Sequence, residues 1–361
     1  MKVCHLTSVH RHCDVRIFYK ECVTLVAAGY EVFLIELNTK TEEKDGVKII
    51  SVHYPIQSRF KRMTVGVWKI YKEALKINAG IYHFHDPELM WAGWLLKRKG
   101  KKVVYDVHED LTLQIYTKPY LPEFLKGMFS FMYSLIESFF VRKFEALITA
   151  EDLNAERLKK KNSKVISLNN YPEIKEAITS VVEKKSALCY AGGITEMRGI
   201  NEMIESLRVA KTELILAGEF SPSSLSEKYL KPADNFISYR GYVSRDEVKK
   251  IYDQSIAGLL LLHPTKNYLR SMPIKMFEYM EAGLPIIASN FPLWKKIFEQ
   301  YGCVIWVNPF DINEIAEAIV LLKENENLRN EMGQKARKAV IENFNWNAES
   351  KKLIQLYQSF K

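Results

Sequence analysis

Residues 187–199 read Ala187-Leu188-Cys189-Tyr190-Ala191-Gly192-Gly193-Ile194-Thr195-Glu196-Met197-Arg198-Gly199. The first five are apolar or small and make a short buried strand. Two glycines then break it and let backbone approach a ligand closely. Beyond Gly199 the apolar residues recur at helical spacing over 201–209. Strand, glycine-bearing loop and helix together are the repeating unit of a parallel sheet covered by helices. The same unit recurs on both sides. Downstream, strands are expected at 214–217, 237–240, 258–262, 285–288 and 304–307, with helices between them. Upstream, strands at 2–7, 31–37, 47–52, 81–84 and 103–107 alternate with helices at 17–28, 65–78 and 89–99. Gly29 and Gly100 stop two of those helices.

The series restarts after 169–186, a stretch of little periodicity that carries Asn-Asn-Tyr-Pro and Glu-Lys-Lys. The chain is therefore expected to be α/β, with two Rossmann-like, doubly wound domains at 1–168 and 187–345 joined by this linker. A length of 361 residues suits two cores better than one. In such sheets, ligands bind beyond the carboxyl ends of the strands. The loops after the strands are where chemistry is to be sought.

Composition narrows the class. The chain is 47% hydrophobic and 26% charged, with no low-complexity tract and no fixed-period repeat. Five cysteines without a CxxC pair argue against a disulfide framework or a zinc site, and read as reduced thiols of a cytoplasmic protein. The start, MKVCHLTSVH, reads as a first strand and not as a signal peptide. Charged residues interrupt every apolar run before it reaches the roughly 20 residues needed to span a bilayer. A net charge of +9 suits an anionic ligand, an anionic membrane surface or nucleic acid. No nucleic-acid motif accompanies it.

Five loops carry the candidate chemistry. After the first strand come His10, Asp14 and Arg16, at a helix start that attracts anions. After 81–84 come His85, Asp86 and Glu88. After 103–107 comes His108, followed by Glu109 and Asp110. Imidazoles and carboxylates at strand ends can position sugar hydroxyls or relay protons. In the second half, Gly192, Gly193 and Arg198 form a phosphate cradle. Ser271, Met272, Pro273 and Ile274 lead into a helix whose first amides make a second anion site. Lys275 adds positive charge there, and Glu278 is placed to accept from a ribose diol. Neither GxGxxG nor a GxxxxGK[ST] loop is present, which excludes the common dinucleotide and P-loop readings. The segment 121–144 is rich in phenylalanine and methionine and flanked by Lys118, Lys126, Arg142 and Lys143. It reads as a broad core helix, the alternative being a helix lying on an anionic membrane.

In their order and spacing, DVRIFYKE, HDPE, YDVHED, GGITEMRG and PIKMFEYMEAGLP resemble the family 4 glycosyltransferases over nearly the whole chain. The resemblance implies the GT-B architecture, two such domains facing each other across a cleft. It also implies retaining transfer from a nucleotide diphosphate-sugar, UDP-sugar before GDP-sugar, as co-substrate and with no essential metal or other cofactor. By position, Arg198 matches the residue that holds the donor phosphates, Glu278 the ribose-binding glutamate, His108 the histidine near the donor sugar, and 271–274 the diphosphate loop. His108, Arg198 and Lys275 are then the catalytic set. His10, Asp14, Arg16, His85, Asp86 and Glu88 are expected on the acceptor side. Two positions depart from the family pattern: Gly193 stands where an arginine is common, and Arg270 where the first glutamate of the pair would fall. Residues 346–361 resemble the closing helix that returns to the first domain. The implied acceptor is a glycan or lipid-linked sugar of surface polysaccharide or glycoconjugate synthesis; peripheral contact with an anionic membrane belongs to the alternative reading of 121–144, and no nucleic acid is expected. The rival readings are a nucleotide-sugar 2-epimerase or hydrolase on the same fold, and a non-catalytic nucleotide-sugar-binding protein.

Overall fold

The alternation of short apolar strands and amphipathic helices resolves, in a computed structural model, into two units. The structure describes residues 1–10, 12–55, 58–108, 110–117, 121–150, 152–174, 187–230 and 235–360. Residues 175–186 of the expected linker, Glu109 and Lys118 lie outside that set. One unit comprises Met1–Asn170 with Trp346–Lys361, the other Tyr171–Asn345.

The first unit is built on an eight-stranded sheet. Its strands are β1 (Lys2–Leu6), β2 (Glu31–Leu37), β3 (Glu42–Lys44), β4 (Val47–Val52), β5 (Ile81–Phe84), β6 (Lys102–Val107), β7 (Ala146–Thr149) and β8 (Val165–Ser167). They lie in the order β3-β4-β2-β1-β5-β6-β7-β8, all parallel except β3 against β4. Strand order reverses between β1 and β5, so the loops after those two strands open side by side. The Cα register His5↔His83 fixes that juxtaposition. β3, β7, β8 and the helix Asp152–Lys159 escape the sequence reading. β3 is three charged residues with no apolar alternation, and β8 is equally short. β7 directly follows a long apolar run that masks its boundary.

The helix expected at 17–28 runs over Val15–Ala27, its first turns wider than an α-helix. Asp14 caps it, accepting from the amides of Arg16 (2.8 Å) and Ile17 (3.1 Å). The helix Trp346–Gln358 packs on this same unit. Trp346, Leu353, Leu356 and Tyr357 join Ile17, Phe18 and Leu25 in one core, and the Trp346 indole donates to Thr24 Oγ1 at 2.9 Å. Its phenol at Tyr357 reaches His83 Nδ1 at 2.8 Å.

The helix within 121–144 overturns the core reading. It spans Glu123–Val141, is long and apolar enough to cross a membrane by length and composition, and keeps most of its surface exposed. Only one stripe meets the sheet, because neighbouring helices already cover the rest of that face.

The second unit holds β9 (Ala187–Ala191), β10 (Glu213–Ala217), β11 (Ile237–Tyr239), β12 (Ala257–Leu260), β13 (Ile286–Ser289) and β14 (Val304–Val307). Their order is β11-β10-β9-β12-β13-β14, all parallel. The switch lies between β9 and β12, which sets Gly192–Arg198 beside the loop that follows β12.

Trp346→Ala should lower the stability of the first unit by about 3–5 kcal/mol, since it removes a buried indole and its hydrogen bond. Urea unfolding followed by circular dichroism measures the loss.

Candidate functional site

Each unit gathers its polar residues at its own switch point. In the first unit the centre is Asp106, fully buried on β6. Arg16 donates to it twice, Nε to Oδ2 at 2.7 Å and Nη2 to Oδ1 at 2.9 Å, and gives Nη1 to the Leu168 carbonyl at 2.8 Å. His108 Nε2 lies 2.9 Å from Asp106 Oδ2, and His85 Nδ1 lies 3.3 Å from the same oxygen. Burial works against ionisation of Asp106, but Arg16 and then His108 and His85 hold its carboxyl well below the usual carboxylate range. An anionic Asp106 selects the Nε2–H tautomer of His108 and leaves Nδ1 as its lone-pair nitrogen. The His108 side chain is 22% exposed, so a buried anion orients an accessible imidazole.

Behind this pair lies a layer that the sequence reading did not single out. His5 Nδ1 is 3.0 Å from His85 Nε2, and Glu21 sits 3.2 Å from Arg16 Nε and 3.6 Å from His83 Nδ1. Burial drives the pKa values of His5, His83 and His85 down, that of His85 to about 3, while burial and the nearby Asp106 charge push the Glu21 carboxyl up. The signal was present as His83-x-His85, one histidine in β5 and one just past its end at a spacing that shares a face, beside a strand that carries His5.

Nearer the surface, His10 stands 3.1 Å from Asp86 Oδ1 and its ring 4.7 Å from that of His108. Asp86 also accepts from Ser8 N at 2.5 Å and Thr7 Oγ1 at 2.8 Å. Burial raises the Asp86 carboxyl, but His10, the Ser8 amide and Thr7 outweigh it and carry it down. For His10, burial is outweighed by the hydrogen bond and charge of Asp86, and its pKa rises. Glu88 is held by Ser8 Oγ at 2.9 Å and Arg62 Nε at 3.1 Å.

The acceptor-side expectation is corrected where burial forbids contact with a ligand: Arg16, His85 and Asp86 are buried and spend their polar atoms on neighbours within the unit. Asp14 caps a helix through one carboxylate oxygen and stays partly exposed. His10, His108 and Glu88 are partly exposed as well.

The second unit brings its expected residues together closely. A Cβ at Gly192 would lie 3.2 Å from Lys275 Cε and 3.7 Å from Arg198 Nη1, and one at Gly193 would lie 3.3 Å from that nitrogen. Arg198 Nη1 donates to the Gly193 carbonyl at 3.3 Å, and Tyr190 OH to the same oxygen at 2.9 Å. Burial works against the Arg198 charge, but the Tyr190 and Tyr268 hydroxyls beside it outweigh that and move its pKa up. Lys275 Nζ lies 2.5 Å from Glu278 Oε2, which also accepts from Tyr252 OH at 2.9 Å. Burial pushes the Glu278 carboxyl up, Lys275 and Tyr252 pull it further down, and it ends below its ordinary value.

The backbone explains why these residues can meet. Gly218 has φ 132°, and a Cβ there would fall 1.8 Å from the Gly192 carbonyl oxygen, so only glycine permits the two loops to touch. Gly199, at φ 73°, turns the chain against the Leu261 carbonyl immediately after Arg198. Ser271 is pinned by its carbonyl, which accepts from the buried Trp294 indole at 2.8 Å. The helix Ile274–Glu281 follows Pro273 with no side chain capping its first turn, leaving amides available to an anion. Arg270 is exposed at the loop's edge.

The sequence matches the family described as Glycosyltransferase Family 4 over residues 15–167 and that described as Glycosyl transferases group 1 over residues 170–339. The chain belongs to the family 4-type glycosyltransferases. Its fold is GT-B. Sucrose-phosphate synthase from Thermosynechococcus elongatus is similar over 99% of this chain and 98% of its own, with a TM-score of 0.76 and 14% identity. The Anabaena HepE protein, solved in complex with UDP and glucose, gives 0.73 and 11% over 99% of this chain and 100% of its own. An Escherichia coli structure described as trehalose-6-phosphate, bound with UDP-2-fluoro glucose, gives 0.71 and 13% over 98% of each. At these identities the likeness concerns the fold. An uncharacterized glycosyltransferase of Methanocaldococcus jannaschii is 22% identical over 184 residues, 49% of this chain and 46% of that relative. The chain thus matches less than half the length of this curated relative.

Two outcomes follow for this glycosyltransferase. Asp106→Ala should cost about 3–5 kcal/mol of stability, because it leaves the Arg16 guanidinium buried without its anion; urea titration reads this. Between about pH 6.5, the ordinary histidine value, and about pH 3, His85 binds its proton in the unfolded chain but not in the folded one. Its contribution is therefore complete above that window and is lost as pH falls through it. His85→Gln should flatten the pH dependence of unfolding free energy there by about 1.4 kcal/mol per pH unit. An unchanged slope would locate the titration elsewhere.

Proposed function

We propose that this glycosyltransferase moves a sugar from a nucleoside diphosphate-sugar, UDP-sugar by preference, to an acceptor hydroxyl with retention at the anomeric carbon. The observation that carries the reading is the convergence of Gly192, Gly193, Arg198, Lys275 and Glu278 on one uncapped helix start in the second unit. Glycine-lined backbone, two cations and helix amides suit a diphosphate, and a carboxylate at the same place suits a ribose diol. The UDP and UDP-sugar bound by fold neighbours favour uracil as the base. The resemblance to the family 4 glycosyltransferases supports retention.

The chemistry asks the protein to stabilise a departing anion. The bond between the anomeric carbon and the diphosphate oxygen breaks, and a bond to the acceptor oxygen forms. The acceptor proton passes to the departing phosphate. Arg198, Lys275 and the first amides of Ile274–Glu281 meet the charge that develops on the leaving group, so the reading needs no metal ion there. His108, held in one tautomer by Asp106, offers its accessible edge to a sugar hydroxyl. His10 and Glu88 belong to the acceptor side. A glycan or lipid-linked sugar, in surface polysaccharide or glycoconjugate synthesis, is the acceptor class.

Calorimetric titration with UDP, GDP and UDP-glucose, with and without EDTA, tests this. UDP should bind, unaffected by EDTA, and Glu278→Ala should weaken it about tenfold or more, as loss of a hydrogen bond to a charged group does. Wild-type affinity in that variant would remove the ribose assignment.

A further inference from the structure

The helix Glu123–Val141 has two unlike faces. On one, Phe124, Met128, Phe131, Leu135 and Phe139 follow one another every third or fourth residue. Phe124 is 82%, Phe131 64% and Leu135 56% exposed. On the other, Lys126 and Glu137 are buried. Lys126 Nζ donates to the Tyr116 carbonyl at 3.0 Å, and Glu137 pairs with Arg157 and, at 2.9 Å, with Lys161. Those ion pairs tie the helix flat along the first unit. Turning it across a bilayer would carry Lys126 and Glu137 into hydrocarbon, at a cost of several kcal/mol.

The apolar surface continues onto neighbouring helices. Trp94 lies 6.4 Å from Phe139 and 6.5 Å from Phe140 between ring centres, and Trp91 stacks on the half-exposed Trp68 at 6.1 Å. Phe60 and Met63, on the turns that lead into the helix of Trp68, are exposed as well. Cations border the apolar surface on several sides, Glu123 at the helix start being an exposed acid beside Phe124. Arg98 sits over Trp94 at 5.1 Å, Lys143 over Phe139 at 5.7 Å and Lys72 over Trp68 at 5.5 Å, while Arg59 and Lys61 flank Phe60 in sequence and are exposed.

Phenylalanines on a flat helix, tryptophans beside them and a rim of lysine and arginine match the layers of an anionic bilayer surface. Acyl chains take the first, the headgroup boundary the second and lipid phosphates the third. A second copy of this chain would set the same cations against one another, and a protein partner would have to supply a matching acidic rim. We propose that the face formed by Glu123–Val141 with Phe60, Trp68 and Trp94 docks in plane on an anionic lipid bilayer. This does not rest on the transferase reading, because docking is read without turnover.

The full chain is floated with vesicles of phosphatidylcholine alone and of phosphatidylcholine with phosphatidylglycerol. It should bind the anionic vesicles, and raised salt should weaken that binding. The Phe124→Glu/Phe131→Glu/Leu135→Glu variant should lose about a hundredfold or more in partitioning, with UDP affinity and far-ultraviolet circular dichroism as in the wild type. Brominated acyl chains should quench the tryptophan fluorescence of the wild type, and less so that of Trp68→Phe, which needs no disruptive variant. Wild-type partitioning by the triple variant, equal binding to neutral vesicles, or a dimer that the same three substitutions dissociate would each overturn the proposal.

Discussion

The first unit depends on the buried pair between Arg16 and Asp106. Each charge alone in that interior would be untenable, and the bidentate geometry is what makes both acceptable. Through it, the helix that follows β1 is fastened to β6, and Nη1 carries the tie on to the Leu168 carbonyl at the end of the unit's own chain segment. His108 takes its orientation from the same carboxylate. One ion pair therefore sets the relative positions of three loops and the tautomer of His108 at their centre.

The second unit meets a different constraint, the distance of backbone from backbone. Gly218 against the Gly192 carbonyl, and Gly199 against that of Leu261, bring loops close enough for Arg198 and Lys275 to share one small space. Glu278 then needs the Lys275 charge beside it, and Tyr252 fixes the carboxylate's remaining freedom. Cation, carboxylate and helix amides meet there because the chain lacks side chains at those close approaches. It is the same physical device that lets helix starts and glycine loops hold anions in general.

Between the units the surface is unevenly used. The second has its candidate chemistry concentrated at one switch point. The first combines a switch point with an outer layer of helices whose apolar face remains uncovered. By composition 121–144 reads as core, because phenylalanine and methionine usually are buried. Burial is decided by what else covers the sheet, and here the helices containing Trp68, Trp91 and Trp94 already do so, leaving Glu123–Val141 one stripe of contact.

By itself, the sequence determined the two α/β sheets, the strand ends that carry polar residues, and the two loops that hold Gly192 with Arg198 and Lys275 with Glu278. These follow from periodicity, glycine placement and strand-to-loop order, all of which are local. That the two loops meet is tertiary. Only the tertiary structure decided that Arg16 and His85 turn inward, that Asp14 is a cap, that β3, β7 and β8 complete the first sheet, and that the phenylalanine-rich helix faces outward. Each of those depends on which distant residue arrives alongside: Asp106 for Arg16, His5 for His85, β4 for β3. A charge or a ring is committed to interior or surface by partners far along the chain, and no local pattern encodes them.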